Sequence, residues 1–284
     1  MTKNSVKGLL SAARSTFHKA LLDGPLTVSR GIPANADKDN RRSVIYAQAI
    51  VLALGGARDV PEKKAGQTAG DEFENTVTAF LQATFLHLAH IRPGQWKVLR
   101  TPGAISQFEQ YQHLAHLLDV VKAQPDLKAS LGGDYLIKPD IVIAREPESD
   151  AVLNSSDRKI VDDYAPMHSP LRKANNTKLI LHASVSCKWT IRSDRSQNAR
   201  TEALNLIRNR KGSVPHAVVV TAEPLPSRLG SIAYGTGDLD CIYHIALPEL
   251  LAICHQEGDA DELNVMIAGR RLRDIADLPL DLAL

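Results

Sequence analysis

Apolar residues recur at three-to-four spacing through Leu9 to Leu22, Val44 to Leu54, Glu72 to His90 and Ile105 to Lys122, which is the period of one buried helical face. The first part of the chain is therefore predicted to be mostly helical. From Pro139 onward the texture changes. Ile141-Val142-Ile143, Leu179 to Trp189, Ala217 to Thr221 and Cys241 to Ala246 are β-branched-rich runs bounded by turn residues, with helical stretches between several of them. This pattern predicts an α/β chain around a mixed sheet. Between these regions, residues 146–176 are polar, carry Pro147, Pro166 and Pro170, and read as a long surface excursion.

Alternation within the Leu179 run assigns its faces. Leu179, Leu181, Ala183, Val185, Cys187 and Trp189 fall on one side and predict the core face. His182, Ser184, Ser186 and Lys188 fall on the other. Lys188 is thus directed to the more polar side of the sheet. Asp140 enters the Ile141 strand directly after Pro139, where an extended start is favoured.

At 284 residues, 44% hydrophobic and 23% charged, the composition is that of an ordinary globular protein. The formal net charge is only +2, yet seven basic residues against two acidic ones lie between Lys188 and Lys211. A polyanionic partner would therefore be met locally, not by the whole surface. Cys187, Cys241 and Cys254 form no CxxC pair, so neither a disulfide framework nor a structural zinc site is indicated, and a cytoplasmic setting is expected. The longest apolar run, Ala49 to Leu54, is far short of the roughly 20 residues that span a bilayer. No membrane partner is expected.

The candidate chemistry lies in Asp140, Lys188 and Glu202. Carboxylates that hold a hard divalent ion beside a lysine can polarise a phosphodiester, activate water and stabilise the leaving oxygen. An acid at a strand start and a lysine on a neighbouring strand fit the PD-(D/E)xK nuclease pattern, but Ser186 occupies the position two before Lys188 where an acid belongs. Glu202, on a helix predicted from about Ser196 to Arg210, replaces it. Each residue also has a plain structural reading: a turn acid, a solvated strand-end lysine and a helix-surface ion pair. Arg192, Asp194 and Arg195 follow immediately, and arginine to guanine with aspartate to cytosine are the pairings that read G·C pairs in the major groove. The same arginines also suit simple phosphate contact.

Larger blocks carry a family resemblance. They include Ser186-Cys187-Lys188-Trp189-Thr190-Ile191-Arg192-Ser193-Asp194-Arg195, Gln197-Asn198-Ala199-Arg200, His90-Ile91-Arg92-Pro93-Gly94, Val218-Val219-Val220-Thr221-Ala222-Glu223-Pro224 and Pro226-Ser227-Arg228, with shorter pieces from Phe17 to Ala283. In these the chain resembles the tetrameric type II restriction endonucleases that recognise a CCGG core. That family's pattern is Pro-Asp, a gap, Ser or Cys-x-Lys, thirteen residues and Glu, and residues 189–201 provide the thirteen.

The resemblance implies a restriction-endonuclease-like core, a mixed central sheet flanked by helices. It also implies one endonuclease domain over 1–284, helical over about 1–130 with a catalytic sheet core over about 135–250. Asp140 would bridge two Mg2+ ions per active site, the Cys187 carbonyl would hold the first and Glu202 the second, and Lys188 would activate water. Glu74 would be a further acid of the site, with Ser186 in the displaced acid's place. Arg192, Asp194 and Arg195 would read the CCGG core, Asp37 and Arg228 the outer G·C pair, and Gln67 would touch the minor groove. The expected substrate is double-stranded DNA carrying GCCGGC, cut after the first G to leave four-base 5′ overhangs. A homotetramer built as a dimer of dimers and a cognate DNA methyltransferase as genomic partner follow from the same resemblance. The competing readings are a structure-specific or repair nuclease on the same core and an inactive DNA-binding protein.

Overall fold

The computed structural model describes residues 7–62, 66–124, 126, 137–235 and 237–284, leaving out the side chains of 193–196. Among these residues the helices are α1 (Leu9–Asp23), α2 (Arg41–Ala53), α3 (Gly66–Thr84), α4 (Gln112–Ala123), α5 (Ser193–Asn209), α6 (Pro226–Ala233), α7 (Leu247–Gln256) and α8 (Asp261–Ala268), besides shorter turns. A two-residue hairpin, β1 (Val28–Ser29) with β2 (Ile32–Pro33), lies apart from the main sheet.

The main sheet has six strands in sequence order: β3 (Trp96–Arg100), β4 (Ile141–Arg145), β5 (Ile180–Lys188), β6 (His216–Thr221), β7 (Cys241–His244) and β8 (Leu272–Asp274). The first two pairings are antiparallel and the last three parallel, so the sheet is mixed as expected. Parallel strands need crossover connections. Helix α5 crosses from β5 to β6, and α6 lies between β6 and β7. One continuous core runs from Phe17 and Phe73 on the helices through Ile141, Val185 and Val219 in the sheet to Leu278.

Alternation assigned β5 correctly at Leu181, Ala183, Val185 and Trp189, which are buried, whereas Ser186 on the opposite face is buried too because α5 covers it. Two strands of the main sheet escaped the hydrophobic pattern. In β3 only Val98 is buried; Lys97 and Arg100 occupy an edge strand, where charge blocks pairing with another chain. In β8 only three residues pair.

Two predicted helices are also broken. The predicted helix to His90 ends at Thr84 and continues as a short 3-10 turn. Over Ile105 to Lys122, two 3-10 turns precede α4. Its backbone is drawn off by β5: Glu109 N–H donates to the Leu179 carbonyl at 2.9 Å, and the buried Gln110 amide bonds both main-chain groups of Leu181, at 2.7 and 2.9 Å. Tertiary hydrogen bonds here override helix periodicity.

Residues 146–176 are more ordered than a surface excursion requires. Buried Arg172 makes paired bonds to Asp150 at 2.8 and 2.6 Å, closing the segment on itself.

Candidate active site and recognition cleft

Antiparallel register puts Ile141 opposite Val185, so Asp140 stands level with Ser186. Asp140 Oδ2 accepts the Cys187 N–H at 2.8 Å. Ser186 Oγ lies 3.5 Å from that oxygen and 3.4 Å from Glu202 Oε2, reaching both carboxylates. Lys188 Nζ is 3.7 Å from Asp140 and 4.0 Å from Glu202, with its side chain only 15% exposed. Residues separated by up to 62 positions in sequence thus meet within one hydroxyl's reach. On the far side, Thr101 N–H donates to the Asp140 carbonyl at 2.8 Å from a φ of 44°, a rare conformation for a β-branched residue. Both the main chain and the carboxylate of Asp140 are therefore pinned.

Glu74 reaches the same neighbourhood on α3, whose Phe73 packs edge-on against Trp189 with ring centroids 5.1 Å apart. That aromatic contact seats the helix on the end of β5 and is worth about 1 kcal/mol beyond burial. Burial raises the Glu74 carboxyl above its ordinary range and the charge of Asp140 adds to this, while Arg100 opposes. Arg100 donates to Glu74 at 3.2 Å and to Asp71 at 3.0 Å. Glu202 is likewise raised, first by burial and then by Asp140, against Lys188 and the Ser186 hydrogen bond. Negative charge is therefore in surplus.

That surplus is the condition a hard cation relieves. Among the described residues, no three His, Cys, Asp or Glu side chains gather at one point. The donor set nevertheless fits a Mg2+-like ion, which typically takes one or two carboxylates and completes its shell with water and phosphate oxygens. The Cys187 thiol is pushed well up by burial and stays neutral, so the main-chain carbonyl is that residue's suitable ligand.

At the carboxyl ends of β5 and β6 opens a cleft of about 760 Å³ lined by Asp37, Arg192, Gln197 and Arg228 among others. Two helices begin there, α5 just after Arg192 and α6 at Pro226, and helix N-termini favour phosphate. Arg228 is bonded to Asp37 and holds that carboxyl below its ordinary range. Arg192 is exposed. The side chains of Asp194 and Arg195 lie outside the described residues. Gln67 is exposed in the first turn of α3, about two turns ahead of Glu74 and so on the same helical face.

The geometry thus gathers Asp140, Ser186, Cys187, Lys188 and Glu202 tightly, with Glu74 adjoining through its interaction with Asp140. It gathers Asp37, Arg192 and Arg228 in a separate cleft. Two charged residues given no role from sequence complete the picture. Arg100 ends an edge strand that hydrophobic alternation did not reveal. Glu223 is fully buried behind the cleft-lining Ile191 and Arg228, and its carboxyl is pushed up to about 7 by burial.

Comparison with known proteins places the chain in a family. A family described as NgoMIV restriction enzyme matches residues 17–284. The chain is 48% identical over 284 aligned residues to the type II restriction enzyme NgoMIV of Neisseria gonorrhoeae, an alignment covering 97% of this chain and 99% of that protein.

Proposed function

Because the chain belongs to the NgoMIV restriction enzyme family, and is thereby a site-specific deoxyribonuclease with a divalent-metal requirement, we propose that it recognises GCCGGC and cuts after the first G, leaving four-base 5′ overhangs. The observation that carries this reading is the convergence of Asp140, Lys188 and Glu202 around Ser186 beside a cleft shared by Asp37, Arg192 and Arg228.

In this reading Asp140 and Glu202, with the Cys187 carbonyl, would hold two Mg2+ ions per active site. When bound, the metal supplies Lewis-acid polarisation of the phosphate and lowers the pKa of coordinated water. Lys188 orients the attacking water, and its ammonium offsets charge gathering on the phosphate as the water oxygen bonds to phosphorus and loses its proton to solvent while the P–O bond to the leaving oxygen breaks and that oxygen takes up a proton from solvent. Ser186 keeps the two carboxylates in mutual register through its hydroxyl. Glu74, tied back by Arg100, adds negative charge at the cluster's edge.

Arg192, Asp194 and Arg195 read the CCGG core, Asp37 and Arg228 the outer G·C pair, and Gln67 meets the minor groove. A two-fold symmetric sequence suits a two-fold symmetric pair of subunits, and we extend this to a homotetramer of two dimers. We further assign one endonuclease domain to residues 1–284, a cytoplasmic location and a protective DNA methyltransferase as genomic partner. No helix among the described residues is long and apolar enough to cross a membrane.

End-mapping of plasmid DNA digested with Mg2+ tests the cut. GCCGGC should be opened after the first G, and equal cutting of CCGG sites lacking the outer G·C pair would overturn the outer assignment. A dimer by light scattering, with and without DNA, would overturn the tetramer.

A further inference from the structure

The cleft joins pieces of chain far apart in sequence, and one side chain touches two of them. Glu223 follows the end of β6 and is completely buried. Its Oε2 accepts the Ile191 N–H at 2.8 Å and stands 3.9 Å from Arg228 Nη1. Its Oε1 accepts the Leu225 N–H at 3.2 Å. Bonds on either side fasten a third piece: Asn35 Nδ2 donates to the Ala222 carbonyl at 2.8 Å, and Trp189 Nε1 to the Ala34 carbonyl at 3.4 Å. The turn carrying Asp37 is thereby tied to the ends of β5 and β6.

A buried carboxylate is costly unless donors surround it, and a neutral side chain of similar shape often serves stability as well or better. Glu223 therefore calls for a reason beyond packing. Its partners supply one: two donors, the amide directly before Arg192 and the amide that opens α6, and a charge neighbour, the guanidinium of Arg228. Ile191 and Arg228 share a single oxygen, so a displacement of either segment is felt by the other.

We propose that Glu223 is a positioning residue for sequence recognition, setting the Arg192 segment and Arg228 in register so that the core and outer base pairs are read together. The inference rests on the reader assignments proposed above and adds to them a coupling between the two.

The test uses full-length enzyme with Mg2+ and compares kcat/KM on GCCGGC with that on ACCGGT for wild type, Glu223→Gln and Arg228→Ala. Glutamine keeps the shape, loses the charge facing Arg228 and turns one acceptor into a donor. Glu223→Gln is expected to lose about tenfold or more of the outer-pair preference, the scale of one hydrogen bond to a charged group. Its kcat on saturating GCCGGC should stay within about threefold, since the reacting groups are untouched. If Arg228→Ala collapses the preference and Glu223→Gln leaves it intact, or lowers kcat alone, the coupling is wrong and the reader assignment stands. If Arg228→Ala also leaves the preference intact, the assignment itself is wrong.

Wild type supplies an arm independent of any variant's folding. The groups facing the Glu223 carboxyl are Arg228 and, beyond it, Asp37, which Arg228 keeps ionised. His244 faces its carbonyl from β7 at 3.2 Å and is held neutral, its imidazole lowered to about 4 by burial. Protonating Glu223 mimics the glutamine, so the GCCGGC to ACCGGT ratio should fall several-fold from pH 8 to pH 6 in the same direction as the variant. A flat ratio across that span overturns the proposal.

Discussion

The proposed catalytic cluster, built across antiparallel β4 and β5, and the proposed recognition cleft, at the ends of parallel β5 and β6, balance charge in opposite ways. Around Asp140, the acids Asp71, Glu74 and Glu202 outnumber Lys188 and Arg100, and burial pushes two of those carboxyls upward. In the cleft, Arg228 is closed on Asp37 and backed by Glu223. The cluster is geometrically built and electrically incomplete, as suits a site completed by cations. Arg228 in the cleft is already paired within the protein, so in the reading proposed above it would exchange a protein partner for a base edge. The cleft's segments are joined by single bonds such as Ile191 N–H to Glu223, whereas Lys188 is paired in register with Thr221 and Asp140 is held by the Cys187 and Thr101 amides.

The sharpest break in that comparison comes from the incomplete side. Chelating divalent ions should abolish cleavage, and Lys188→Ala should lower kcat about a thousandfold while DNA binding without cleavage survives, since a preorganised electrostatic group is worth about a hundredfold to a thousandfold. Filter binding and initial cleavage rates measure the two separately. A Lys188→Ala enzyme cutting at the normal rate would remove the lysine from the mechanism.

On the satisfied side the effect should be smaller and selective. Arg228→Ala should cost about 1–3 kcal/mol of discrimination at the outer pair, the range for one base-reading contact. Cutting of CCGG embedded in other flanks should rise relative to GCCGGC. A uniform loss on all sites would instead mark Arg228 as a phosphate contact.

How much of this was legible in sequence divides along the same line. Asp140, Lys188 and Glu202 could be found because each sits on an element with a readable period: a Pro-led strand, an alternating strand and an arginine-rich helix. The thirteen-residue gap after Lys188 matters physically because it carries the chain round the strand end and onto α5, so that Glu202 faces back to Ser186. Arg100 was not legible, since β3 is an edge strand whose one buried residue leaves no alternation. Glu223 was visible as a residue within a matching block but not as a buried one. Nothing local distinguishes a solvated Glu-Pro turn from a carboxylate enclosed by Ile191 and Arg228. The Asp37–Arg228 pair, 191 positions apart, was reachable only through family resemblance.

Acidity separates the two regions more finely. Burial raises Glu202 and Glu74, so both take up protons before ordinary carboxylates as pH falls. Cleavage should decline toward acid pH, and raising Mg2+ should shift the decline to lower pH because metal and proton compete for Glu202. Stability has its own signature at Glu223. Its folded carboxyl lies near 7, above the ordinary 4.5, so its contribution is fully present below about 4.5 and is lost as pH rises to about 7. Glu223→Gln lacks this loss. The difference in unfolding temperature should therefore move in the variant's favour between those limits, and a pH-independent difference would place Glu223 in a far wetter environment.

The smallest effect should come from Cys187, which distinguishes side-chain from main-chain work inside the cluster. Its N–H fixes Asp140 and its carbonyl is the proposed ligand, while its thiol is kept neutral by burial. Cys187→Ala preserves both main-chain groups. Cleavage should change by less than about threefold, with a stability loss of about 1 kcal/mol for the removed sulfur, a common cost for a single substitution. A thousandfold loss of cleavage in a folded Cys187→Ala enzyme would mean that the thiolate itself binds the ion. The metal preference would then move from Mg2+ toward softer ions such as Zn2+, and the charge surplus around Asp140 would belong to a different site from the one described.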